Sequence, residues 1–216
     1  MPKNIVKKTV LAVAGLLIAG VTISFIKDSP ADAQSLPPVA KMTAERSLGN
    51  PNAKVTVIEY ASLTCPHCAA FHRGPWPEIK KEYVDTGKIN FIFRDFPLDR
   101  IALAASMIAR CAPEERYFGV INLMFETQDT WRNAANPQAA LESIGRLAGM
   151  PSETLQVCVQ NRAVFEAVMK QRNDGDQKFK IESTPTILVN GQKIGGSLDI
   201  GRFREVVDQA LADARQ

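Results

Sequence analysis

"KVTVIEYASLTCPHC", residues 54–68, joins a β-branched and aromatic run to two cysteines two residues apart. Residues 54–61 read as a buried strand. That strand runs directly into Cys65. From Pro66 to about Thr86 the pattern is helical, with Phe71, Ile79 and Tyr83 marking one apolar face. Pro75 and Pro77 predict a kink in that helix. Residues 88–98, "KINFIFRDFPL", read as a second strand. Strand, helix and strand without a hairpin turn make a βαβ unit, so the two strands should be parallel with a right-handed crossover.

Residues 99–180 carry no strand pattern. Segments 99–112, 113–128, 136–150, 151–161 and 162–175 read as five helices, with Pro137 and Pro151 suited to first-turn positions. β-structure returns at 184–196, where Asn190-Gly191 predicts a tight hairpin turn. Residues 199–216 close the chain as an amphipathic helix with Phe203, Val206, Val207, Ala210 and Leu211 on one face. The order is β-α-β, a helical block, then β-β-α. The fold class expected is α/β. Residues 54–98 and 181–216 together complete a small sandwich, and 99–180 is an all-helical insertion between them.

The chain of 216 residues is long enough to bury a core without metals or crosslinks. Its net charge of +3 is partly N-terminal. Setting aside residues 1–33, with four lysines and two aspartates, leaves 22 basic and 21 acidic residues. That balance is no electrostatic footprint for nucleic acid. "MPKNIVKK" is a basic head, residues 9–26 are an uncharged run of 18, and Ala31-Asp32-Ala33 is an A-x-A cleavage pattern before Gln34. Together they read as a secretory signal peptide. An uncleaved membrane anchor is the alternative, because a run of that length reaches the threshold for a span. Either version puts the body outside the cytoplasm, in the periplasm. Residues 34–53, rich in Pro, Ser and Asn, read as a linker with one short edge strand. The four cysteines, Cys65, Cys68, Cys111 and Cys158, all follow the apolar run, and an even count in an oxidising compartment favours disulfides.

Cys65 sits just past a buried strand, at the first turn of a helix. Free N–H groups and the helix dipole favour an anion there, so its thiol pKa should fall. His67 adds a donor or positive charge nearby, and Pro66 presets the helical φ. Cys68 lies one turn on, on the same face, close enough to close a redox-active disulfide with Cys65. A low-pKa thiolate leaves readily, so such a disulfide is easily reduced by a substrate thiol and the protein is an oxidant. Zinc would require a second ligand pair, whereas Cys111 and Cys158 stand 47 residues apart in separate predicted helices. A purely structural bridge between Cys65 and Cys68 would close too small a loop to constrain the unfolded chain. His72 reads as a surface or partly packed helix residue outside the site. Two readings of Glu59 stay open, an ordinary strand residue in water and a buried acid.

"VIEYASLTCPHC" (57–68) and "STPTILVNG" (183–191), with the helical block between them, resemble the thioredoxin superfamily. Within it they resemble the exported DsbA-like thiol:disulfide oxidoreductases. The resemblance covers about residues 40–216. It implies that Cys65 is the nucleophile, Cys68 the buried resolving cysteine, and His67 a stabiliser of the Cys65 thiolate. It implies too that Glu59 is a buried acid able to ferry a proton. Pro185 would be cis, with Thr184 presenting backbone groups to an extended substrate. Cys111 and Cys158 depart from the best-known member. Some DsbA-like proteins carry a second disulfide in this block, which favours a bridge over two unpaired buried thiols. The expected partners are unfolded exported proteins with free thiols and a DsbB-like membrane reoxidant, and no prosthetic cofactor is needed. Isomerases often dimerise, and residues 34–53 are too short for a dimerisation domain, so a monomeric oxidase is expected. An isomerase or reductase of the same fold is the nearer rival. A thioredoxin-fold binding or chaperone module, which would need neither cysteine, is the more distant one.

Overall fold

Strand β2, Val55–Ala61, buries every side chain but the half-buried Thr56. Such a strand needs cover on both faces. In the computed structural model, which describes residues 35–195 and 199–215, it lies at the centre of a five-stranded sheet. The other strands are β1 (Arg46–Gly49), β3 (Ile89–Asp95), β4 (Thr186–Val189) and β5 (Gln192–Lys193), in the order β1-β3-β2-β4-β5. Only β2 and β3 are parallel; the other pairs are antiparallel. The expected secretory segment and its cleavage position lie outside the described residues. Among the described residues no helix is long and apolar enough to cross a membrane.

Alternation along β2 divides the core. Val57, Glu59 and Ala61 share one face; Ile58 and Tyr60 point to the other. Helices α2 (Pro66–Arg73) and α3 (Trp76–Ile79) follow β2, and α3 continues through a π turn at Lys80–Val84. The kink expected from Pro75 and Pro77 is a full break at Gly74 and Pro75. The closing helix α10 (Ile200–Asp213) is capped by Asp199 and buries Phe203 and Val207 in the main core. On the opposite face Ile58, Tyr60, Ile92, Phe96, Ile181 and Leu188 form a smaller cluster. Gly175 of the long helix α9 (Arg162–Phe179) meets it, and a Cβ there would stand 2.7 Å from the Tyr60 ring.

The insertion comprises α4 (Arg100–Cys111), α5 (Tyr117–Glu126), α6 (Gln128–Arg132), α7 (Pro137–Leu147), α8 (Ser152–Val159) and α9. This is the thioredoxin-type sheet with a helical insertion that the sequence suggested. Two details differ from the sequence reading. Gln128–Arg132 is a helix of its own, where the sequence suggested only the end of α5 and a connection. The last helix runs on to Phe179, ending where Lys180 adopts a left-handed conformation. Asn190 and Gly191 both have positive φ, as a two-residue hairpin of this twist requires. Cys111 of α4 and Cys158 of α8 are bonded at 2.10 Å, both essentially inaccessible.

The stretch read as a linker is part of the fold. It contains a short helix, α1 (Val39–Thr43), and the edge strand β1, and it buries Met42 and Arg46. The cause is Arg110. Its guanidinium, fully buried, donates to Asp95 Oδ2 on β3 at 2.6 Å and to Gln171 Oε1 on α9 at 2.8 Å. It also donates to the Met42 and Ala44 carbonyls at 3.2 and 3.1 Å. One side chain thus ties the N-terminal segment, the sheet and two inserted helices together. Removing one member of a buried pair strands the other charge. Asp95→Asn should therefore lower the unfolding free energy by about 3–5 kcal/mol, measured as a shift of the urea midpoint. A loss below about 1 kcal/mol would mean that this hub adds nothing a surface pair would not.

Candidate active site

The chain leaves β2 at Ala61 and enters α2 four residues later. Cys65 is the N-cap of α2, in extended conformation, and Pro66 takes the first helical position. Cys65 is 7% exposed and Cys68, one turn on, is 0% exposed. The two are free thiols here. From the other side the loop before β4 brings up the cis Thr184–Pro185 peptide bond. The Cys65 thiol donates to the Thr184 carbonyl at 3.2 Å. An open groove of about 700 Å³ begins at this point, lined among others by His67, Phe71, Pro75, Thr184 and Pro185.

The sulfurs are unequal acids. A hydrogen bond from the Cys68 thiol is the largest cause holding Cys65 down, against burial, at about 5 rather than the ordinary 9.0. The Thr184 side chain and the backbone N–H groups of Cys68 and His67 lower it further. Cys68 moves the opposite way. Burial raises its pKa first, then its bond to Cys65 and the negative charge of Glu59. One proton is in effect shared, and Cys68 keeps it. His67 acts on Cys65 through its backbone N–H, and its side chain is exposed.

Glu59 is wholly buried, paired in register with Phe93 of β3 and Ile187 of β4. Of its two sequence readings, the buried acid is the one the structure contains. The sequence reading left His72 outside the site, and here the structure differs. His72 is buried, with Nε2 2.9 and 3.2 Å from the two Glu59 carboxylate oxygens. Its position four residues after Cys68 on one helix face was the available signal.

Gln128 and Arg132, one turn apart on α6, were missed altogether. The buried Gln128 amide donates to the carbonyls of Leu63 (2.7 Å) and Cys65 (3.0 Å), and Arg132 to that of Thr64 (2.9 Å). Three successive carbonyls of the active loop are thereby held by the insertion. Thr64 Oγ1 donates in turn to Asp99, the N-cap of α4, at 2.6 Å. Nothing local in residues 62–65 announces these partners.

A depressed thiol stabilises the folded dithiol fully above the ordinary thiol pKa and ceases to do so as pH falls through about 5. The disulfide form has no such group. The stability of the dithiol relative to the disulfide should therefore shrink on acidification through that window. Thiolate absorbance of the reduced protein should titrate with a midpoint near 5, and Cys68→Ala should move it upward by removing the donor. A midpoint unchanged in Cys68→Ala would assign the lowering to the helix terminus alone.

The family model described as Thioredoxin matches residues 41–209. A curated "Putative protein-disulfide oxidoreductase" of Rickettsia felis is 34% identical over 170 residues, 78% of this chain and 61% of that one. The chain thus spans less than two thirds of the length of that relative. "Disulfide bond formation protein D" of Bacillus subtilis is 28% identical over 169 residues, 76% of each. Among solved structures, Wolbachia pipientis alpha-DsbA1 superposes with a TM-score of 0.74 at 31% identity, covering 83% of this chain and 95% of that one. With the sheet, the inserted helices and the strand-to-helix cysteine pair all in agreement, the chain belongs to the thioredoxin superfamily as a DsbA-like member.

Proposed function

We propose that this chain is an exported thiol:disulfide oxidase that introduces disulfide bonds into unfolded proteins outside the cytoplasm. The observation that carries this reading is the asymmetry of the pair: Cys65 caps a helix beside the Thr184 carbonyl, where its thiol is held down, and Cys68 is wholly buried, where its thiol is pushed up. In the oxidised state a substrate thiolate attacks Cys65 Sγ. The Cys65–Cys68 bond breaks, and the electron pair leaves on Cys68. The substrate's second thiol then attacks the substrate sulfur of the mixed disulfide and releases Cys65 as a thiolate. Cys65 leaves readily because its anion is stabilised, so the equilibrium favours the oxidised substrate. Glu59 would serve as the buried acid for Cys68. The groove beside Thr184 and Pro185 suits an extended peptide. Phe71, Pro75, Pro185 and Ile200 give its wall an apolar share. The names of the relatives support the class of chemistry. The basic head and apolar run of residues 1–26 support export to the periplasm. A DsbB-like membrane protein would return the pair to the disulfide. An isomerase needs the same site held reduced, so the two roles differ in the redox state the partner maintains.

Oxidised protein mixed with a reduced, unfolded substrate should restore its activity, while Cys65→Ala should restore none. Cys68→Ala should attack a disulfide substrate and remain attached to it, since no second thiol resolves the bond. If Cys65→Ala were the trapping variant instead, the assignment would be reversed. Export has its own readout. The intact mass of the exported protein should begin at Gln34, and a mass retaining residues 1–33 would indicate an anchor.

A further inference from the structure

His72 is 4% exposed, and its ring is stacked on Phe125 of α5 at 4.2 Å between centroids. Phe93 of β3 meets it edge-on at 6.1 Å, and Trp76 of α3 lies at 5.5 Å. An imidazole in an aromatic box gains nothing that a Phe would not, unless its nitrogens are used. One nitrogen meets the wholly buried Glu59 at 2.9 Å, and the other, Nδ1, has no protein partner. Cys68 and His72 are i and i+4 on the buried face of α2, both above the strand that carries Glu59.

We infer that His72 is a positioning residue for the reaction, holding with Glu59 the proton that Cys68 gains and loses in each disulfide exchange. This rests on the thiol:disulfide exchange proposed above. When substrate attack breaks the Cys65–Cys68 bond, the electron pair arrives on a sulfur with no exposure to water. A thiolate buried there is costly and would attack the mixed disulfide back, so that sulfur takes a proton, and the Glu59–His72 pair is the donor within the core. The pair recovers that proton from one of the two that the substrate thiols give up. Overall, two substrate thiols lose two electrons and two protons, one proton ends on Cys68, and one goes to solvent because Cys65 leaves as the thiolate. In reverse, the pair takes the Cys68 proton before Cys68 attacks the mixed disulfide. The high proton affinity of Cys68, partly caused by the Glu59 charge, is what makes such a carrier necessary. Another titratable group that feels Glu59 is the buried phenol of Tyr117 on α5, itself flanked by Arg46, Asp95 and Arg110. A phenol raised by burial holds its own proton and does not compete.

The test uses the protein with glutathione bound to Cys65 as a mixed disulfide. Attack by Cys68 releases glutathione, and its rate is followed from pH 5 to 9. His72→Gln keeps a donor facing Glu59 but cannot carry a proton. It should slow release at pH 7 by about a hundredfold and change the pH profile, and Glu59→Gln should do the same. Rapid alkylation of Cys65 by iodoacetamide in the reduced variants at pH 6, where an ordinary thiol is protonated, confirms that the site is folded. Rates within about twofold of the unaltered protein, with an unchanged profile, would reduce His72 to packing. A second measurement needs no variant. The chain has two histidines, and the ring ¹⁵N shifts of His72 should change between the oxidised and reduced protein. Shifts identical in both states would overturn the inference. Glutathione release reads Cys68 alone, so a protein that releases glutathione normally yet fails to oxidise unfolded substrates would sink the proposed function and leave this inference standing.

Discussion

The structure depends on one constraint, that a helix must begin where a fully buried strand ends. β2 is held between β3 and β4, so the position of Ala61 is not adjustable. Four residues later Cys65 caps α2, and the backbone N–H groups of His67 and Cys68 in its first turn favour a negative charge on the Cys65 sulfur. The junction is then clamped from three directions. Thr184 and the cis-Pro185 approach across the sheet edge, Gln128 and Arg132 hold three carbonyls from the insertion, and Asp99 holds Thr64. Preorganised donors of this kind cost no rearrangement when charge appears on the sulfur.

The helical insertion has two jobs that its position makes compatible. It covers the cysteine face of the sheet, supplying Phe125 and Tyr117 to the core around Glu59 and His72. It is also fastened back to the sheet by polar contacts rather than by apolar area alone. Arg110 reaches Asp95, Gln171 and the Met42 and Ala44 carbonyls, and the Cys111–Cys158 bond follows directly on the same helix. Arg46 adds to this region by donating to the Arg110 carbonyl at 3.3 Å and lying over the Tyr117 ring. A buried arginine with five donors can satisfy groups from several elements at once, which a lysine at the same place could not.

Two buried acids on the same sheet illustrate how environment separates roles. Asp95 ends β3 and meets a guanidinium that never gives up its proton, so the pair can only hold structure. Glu59 lies in the middle of β2 and meets an imidazole, the side chain whose protonation changes near neutral pH. The second arrangement is the one beside the cysteines.

Much of this was legible in the sequence because it is local. The β-branched run before Cys65, the proline at the first helical position, the Asn190-Gly191 turn and the apolar face of the last helix are decided by residues adjacent in the chain. The resulting βαβ order and the helical insertion follow from them. What the sequence could not show depends on groups meeting from 13 to 119 positions apart. His72 reads as a surface or partly packed residue because one helix cannot reveal which of its faces another element will cover. Residues 34–53 looked like a linker because the Arg110 that captures their carbonyls lies more than 60 residues away. Gln128 and Arg132 carry no motif, since donating to a carbonyl asks nothing of the sequence at the accepting end. The sequence by itself determined that a thiolate would be favoured at Cys65, because a helix start carries its field wherever it is placed. Only the tertiary structure decided that Glu59 and His72 are buried against each other, because burial is a property of the packed core.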